Sequence, residues 1–160
     1  MDKLVYQFQD FFTSVNDEYK DFVIKINEIL LQEGCKATVG STKTNPFSVK
    51  YKQGRRGIFN FVLRKKSFKA SVYASNYAKY SDVLDRLPES MVKQIAKSSD
   101  CKNMVNPATC WEGCSGYNIH INAEEYQKCS YGCFQFDIDA ESMPFLIELL
   151  ESELKERRAA

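Results

Sequence analysis

The sequence predicts an α+β fold, a mostly antiparallel sheet with helices packed on one face, accompanied by a Cys-rich loop and hairpin. Three observations carry that prediction. Apolar residues recur at helical spacing near both ends, they alternate at period two between residues 36 and 74, and five cysteines crowd into residues 101–133. With 160 residues, 44% of them hydrophobic and 27% charged, the composition is that of one globular α+β domain (1–160), with 101–133 a Cys-rich subregion inside it. Disordered, collagenous and low-complexity classes are excluded by the few Gly and Pro.

The elements follow in chain order. Leu4, Phe8, Phe11 and Phe12 predict a short first helix. From Ser14 to Glu33, Tyr19, Phe22, Val23, Ile26 and Leu30 recur at three and four residues, with Ser14 and Asp17 as a capping box and Gly34 as the stop. Strands are predicted at Lys36 to Val39, Phe47 to Lys52, Gly57 to Arg64 and Phe68 to Ala74, joined by turns at 53–56 and 65–67. Residues 79–98 return to helical spacing, and Pro88 suits the first turn of a second helix there. Tyr117 to Asn122 and Tyr126 to Cys129 read as a hairpin turning at Ala123-Glu124, which puts His120 opposite Gln127. A last strand carries Phe134, Phe136 and Ile138. Ser142 then caps a final helix with Pro144 in its first turn and Phe145, Leu146, Leu149, Leu150 and Leu154 on its buried stripe.

The cysteines are spaced Cys101-x8-Cys110-x3-Cys114, then fourteen residues, then Cys129-x3-Cys133. Zinc takes four soft ligands in a tetrahedron, and two short-range pairs joined by a hairpin supply them. Cys133 and the distant Cys35 sit in strand-like contexts where a thiol packs as a small hydrophobe. The preferred metal set is therefore Cys101, Cys110, Cys114 and Cys129, with Cys133 or His120 as substitutes, and the metal's role is structural. A three-residue gap departs from common zinc knuckles, so partly buried free thiols with a solvated His120 stay as the alternative reading. A third is a thiol-dependent redox or metal-handling protein using Cys110, Cys114, Cys129 and Cys133.

A net charge of +1 hides a strong asymmetry. Residues 41–80 hold ten Lys or Arg and no acid, while residues 81–160 hold fourteen acids against eight bases. Along the predicted strands the bases follow the pleat, so Lys50, Lys52, Arg64, Lys69 and Tyr73 share one face, with Arg55 and Arg56 at a turn. That face suits a small anionic ligand or an acidic protein partner. A solvated sheet face defended by lysine is the competing reading. The acidic remainder of the chain disfavours a long polyanion such as nucleic acid.

Several classes lack their motifs. Gly40-Ser41-Thr42-Lys43-Thr44 resembles a phosphate loop but lacks its first glycine and leads into a strand. No G-x-S-x-G, H-E-x-x-H or G-x-G-x-x-G is present, and one histidine leaves base catalysis to carboxylates or thiols. Glu148, Glu151, Glu153 and Glu156 read as the wet face of the last helix. No catalytic residue is assigned, and an enzyme is unsupported. Apolar runs of three or four residues fall far short of the ~20 that cross a bilayer. The start, Met1-Asp2-Lys3-Leu4, carries no secretory apolar segment, so a cytoplasmic protein with no membrane partner is expected.

Over the stretch Cys101 to Cys129, ending Tyr126-Gln127-Lys128-Cys129, and at 59–66 (Phe-Asn-Phe-Val-Leu-Arg-Lys-Lys), the chain resembles a group of uncharacterised small bacterial proteins. The resemblance covers most of the chain and implies a bacterial, cytoplasmic, single-domain protein without implying any catalytic residue. Its element order is also similar to frataxin-like α+β domains, an analogy of fold alone. The expected function is a non-enzymatic binding module, with zinc as its candidate cofactor and the basic face as its candidate site.

Overall fold

Two helices lead into the sheet, as predicted, with the break between them at Val15-Asn16 rather than at Ser14. The computed structural model describes residues 6–43, 46–101, 106, 116–129 and 134–159. Helix α1 (Phe8–Ser14) ends where extended Val15 turns its side chain into the core, and α2 (Asp17–Gln32) starts afresh. The expected capping box from Ser14 is thus corrected. Ser14 closes α1 instead, its hydroxyl donating to the Asp10 carbonyl at 3.2 Å. Helix α2 buries Phe22, Val23, Ile26 and Leu30, the predicted stripe. It stops in a Schellman motif, in which the Gly34 and Cys35 N–H groups donate to the Leu31 and Leu30 carbonyls at 3.1 and 3.0 Å. That motif needs a left-handed residue, and Gly34 supplies it with φ of +78°.

Strands β1 (Lys36–Gly40), β2 (Phe47–Gln53), β3 (Arg56–Leu63) and β4 (Phe68–Val72) form the antiparallel meander that period-two alternation predicts. A two-residue strand near the C-terminus pairs with the free side of β4, and a separate hairpin, β5 (Tyr117–Ile121) and β6 (Glu124–Lys128), lies before it. With that late strand as β7 (Phe136–Asp137), the five-stranded order is β1-β2-β3-β4-β7. The register stacks Val49, Phe61 and Ala70 in one row and Tyr51, Phe59 and Val72 in the next. Phe61 centres this apolar layer, with ring centroids 5.6 Å from Phe11, 6.3 Å from Phe22 and 5.6 Å from Phe68. Helices α1 and α2 therefore pack on this side. The molecule is α+β, as its periodicities predict.

After β4 come a 3-10 turn (Tyr77–Tyr80), α3 (Ser81–Leu84) and α4 (Glu89–Lys97). Pro88 stands at the N-cap of α4 rather than inside its first turn. Helix α5 (Ser142–Ala159) buries Leu146, Leu149, Leu150 and Leu154. Asp139, not Ser142, supplies its cap: one carboxylate oxygen accepts from the N–H groups of Glu141 and Ser142 at 3.0 and 2.8 Å. Ser142 is buried and donates to the Asp137 carbonyl at 2.6 Å, fastening α5 to β7. Among the described residues, no helix is long and apolar enough to cross a membrane.

Candidate functional site

On the side of the sheet opposite Phe61, the pleat collects bases. Lys36 lies directly across from Lys52, Thr38 from Lys50, and Lys50 from Asn60, which is itself opposite Ser71. One row along, Val62 stands opposite Lys69, and Lys69 opposite Asp137. Lys50, Lys52, Lys69 and Tyr73 thus share a face by strand register. Lys36 joins them from outside the 41–80 window, and β1 pairing, which sequence alone did not align, brings it there.

The seven candidate anion-binding residues do not converge on one point. Arg55 and Arg56 lie at the β2–β3 turn and Arg64 at the β3–β4 turn. Arg64 lies eight positions on from Arg56 along β3, which is about 26 Å of extended chain. Some are already engaged. Arg56 donates to the Ser75 hydroxyl at 2.9 Å, and the Lys69 ammonium lies 3.6 Å from the Asp137 carboxylate. Lys50, Lys52 and Arg55 are exposed, and none of the ion pairs among the described residues involves them. Asn60 is buried between Lys50 and Ser71, and its side-chain oxygen has no hydrogen-bond partner among the described residues.

Two of the preferred metal ligands lie on neighbouring segments. An isolated bridge pairs Asp100 with Lys128, so Cys101 N–H donates to the Gln127 carbonyl and Cys129 N–H to the Ser99 carbonyl, each at 2.9 Å. The cysteines are therefore diagonal neighbours, roughly 7–8 Å apart by the geometry of such pairs. Cys101 is buried and Cys129 half-buried. Cys110, Cys114 and Cys133 lie outside the described residues. The hairpin turns at Asn122-Ala123, with φ of 50° and 70°, not at Ala123-Glu124. That shift sets His120 opposite Glu125, four residues along from Cys129 and thus about 13 Å down the strand. Among the described residues, no group of three or more His, Cys, Asp or Glu side chains gathers to hold a metal.

The strongest polar cluster is one the sequence reading placed in solvent. Glu153 is 0% exposed. Its carboxylate accepts from the Ser75 N–H at 2.9 Å, the Ser75 hydroxyl at 2.7 Å, the Tyr80 hydroxyl at 2.7 Å and Arg157 Nε at 2.9 Å. Burial pushes this carboxyl up, but the bonds from Tyr80, Arg157 and Ser75 outweigh it and hold the acid below its ordinary value. Arg157 goes on to donate to the Gly57 and Tyr73 carbonyls at 2.9 and 3.1 Å. No substrate could reach a carboxylate so enclosed, and the cluster clasps α5 to the sheet. The signal was helical spacing: 153 and 157 continue the stripe of 146, 149 and 150.

A second enclosed charge, Lys128, spends its three N–H donors on the Ala96 and Ser98 carbonyls and the Asp100 carboxylate, at 2.9, 3.0 and 2.7 Å. It ties β6 to the C-terminal end of α4, where the helix dipole favours a cation. No family model, curated protein or solved structure matches this chain.

Proposed function

We propose that this chain is a non-enzymatic binding module whose basic sheet face receives an acidic protein surface. The observation that carries the reading is the register that sets Lys36 opposite Lys52 and beside Lys50. Like charges directly opposite on a sheet oppose folding, so their retention is best explained by a partner that neutralises them. Extent favours a protein over a compact anion, since no single small ion spans the ~26 Å from one turn to the other. The test uses fluorescein-labelled deca-aspartate and a neutral peptide of equal length. The acidic probe binds, the neutral one does not, and affinity falls as salt rises toward screening concentrations. The triple variant Lys36→Glu, Lys50→Glu, Lys52→Glu abolishes the interaction. Unchanged binding by that variant, or tighter binding of single-stranded DNA than of the peptide, overturns the reading.

A second reading rests on the diagonal placement of Cys101 and Cys129. Together with Cys110 and Cys114 they would hold one structural zinc, four thiolates closing the coordination shell and stapling the residues around the hairpin. Elemental analysis of untagged protein, with thiol titration before and after a chelator, decides this. About one zinc per chain and roughly four thiols released supports it. Metal-free protein with freely titrating thiols excludes it and favours the thiol-redox alternative.

A further inference from the structure

At one end of the sheet a groove of about 880 Å³ opens between the β3–β4 turn and the junction of α1 and α2. Its volume falls in the range of small-molecule sites. The Arg64 N–H donates to the Ser67 carbonyl at 2.8 Å, closing a two-residue turn that projects Lys65 and Lys66. With Arg64 and Lys69, four cations border the groove, against one bordering carboxylate, Asp137, which faces Lys69. Lys65 and Lys66 are exposed and form no ion pair among the described residues. Three successive cations on so tight a turn repel one another, a cost that an anion between them removes.

The rest of the lining is of different chemistry. Tyr19, Pro46 and Leu63 border the groove half-buried, and Tyr19 leans on Phe68 with ring centroids 6.0 Å apart. Asn16 and Ser67 add uncharged donors to the lining. A bare inorganic ion would leave the apolar lining unused, and an uncharged ring would leave Lys65 and Lys66 unpaired.

We infer that this groove is a binding site for a small organic phosphate carrying an aromatic group, the phosphate lying on the Arg64–Lys66 turn and the ring against Tyr19. The groove shares Lys69 and the Arg64 turn with the face assigned to an acidic partner but includes none of Lys36, Lys50 and Lys52, and it does not depend on that assignment. Phenyl phosphate is the probe, followed on the full chain by amide chemical shifts and calorimetry. Shifts appear at 64–69 and Tyr19, and inorganic phosphate binds at least fivefold more weakly. The variant Lys65→Glu, Lys66→Glu, confined to an exposed turn, weakens phenyl phosphate at least tenfold. Lys50→Glu, Lys52→Glu leaves it within twofold while weakening the deca-aspartate probe, so failure of one site is told apart from failure of the other. Shifts that avoid the groove, equal affinity for inorganic phosphate, or an unaffected Lys65, Lys66 variant each overturn the inference.

Discussion

Glu153 carries the most consequential single charge in the chain. Its carboxylate, 0% exposed, balances an Arg157 side chain that is only 7% exposed. Removing one partner of such a pair leaves the other as an uncompensated buried charge. Glu153→Gln should therefore lower stability by about 3 kcal/mol, read from urea midpoints at pH 7. Because folding holds this acid below its ordinary value of 4.5, its contribution is present above that value and is lost as pH falls through and beneath it. The variant should accordingly lose less stability than the parent on acidification from pH 6 to pH 3. At Cys35, burial pushes the thiol up, and the side chain is 5% exposed. Site-mapped alkylation of the native protein at pH 7.5 should leave Cys35 and Cys101 unmodified while Cys129 reacts. Residue type alone misled at Glu153, since an acid on a helix reads as solvated until its place in the apolar stripe is counted.

At the level of elements, period two made β2 legible, because a strand with one buried face carries that alternation, whereas β3 is buried on both sides from Ile58 to Val62 and was legible by its apolar run between turns. What it could not reveal was register. The bulge between Tyr51 and Lys52 leaves Ile58 without a partner across β2, yet buried, and the adjacent apolar pair Ile58-Phe59 is its only trace in the alternation. The β5–β6 turn was missed by one residue because Ala123 is an uncommon choice for a left-handed position. Its φ of 70° stores strain that glycine would not feel. Ala123→Gly should raise stability by about 0.5–1 kcal/mol, with the hairpin amide shifts otherwise preserved. Gly116 shows the reverse constraint. A Cβ there would stand 2.5 Å from Cys101 Sγ and 3.0 Å from the Lys128 carbonyl, on a backbone with φ of +52°. Gly116→Ala should cost more than about 2 kcal/mol and expose Cys101 to alkylation.

Over the whole molecule, three buried ionisable groups bound the range of pH in which the fold is secure. Glu153 sets the acid side. Tyr51, which donates to Asn27 at 2.8 Å, and Tyr80, which donates to Glu153, set the alkaline side. Burial raises both phenols above their ordinary value, and at Tyr80 the Glu153 carboxylate adds to it. A raised value means that their stabilisation is complete below about pH 10 and drains away as pH climbs past it. Thermal midpoints should stay level from pH 6 to 9 and drop above 10, and Tyr51→Phe should blunt that drop. Charge asymmetry was readable as a count, but the register was needed to set Lys36 opposite Lys52 and to place the Arg56 and Arg64 turns at opposite ends of β3. The cysteine pattern was legible as a grouping, and the pairing of Asp100 with Lys128 that brings Cys101 beside Cys129 was not.

The clasp of α5 also has a kinetic meaning. Arg157 reaches back 104 residues to Gln53 and 100 to Gly57, and Arg158 pairs with Glu33 at a separation of 125. Contacts so distant along the chain close late, after the loops between them have lost their entropy. During synthesis the meander can pair as soon as it emerges, but Ser75 and Tyr80 await a carboxylate 78 and 73 residues further along the chain. Until then the leucine stripe of α5 has not joined the core, and the nascent chain is at its most vulnerable to aggregation.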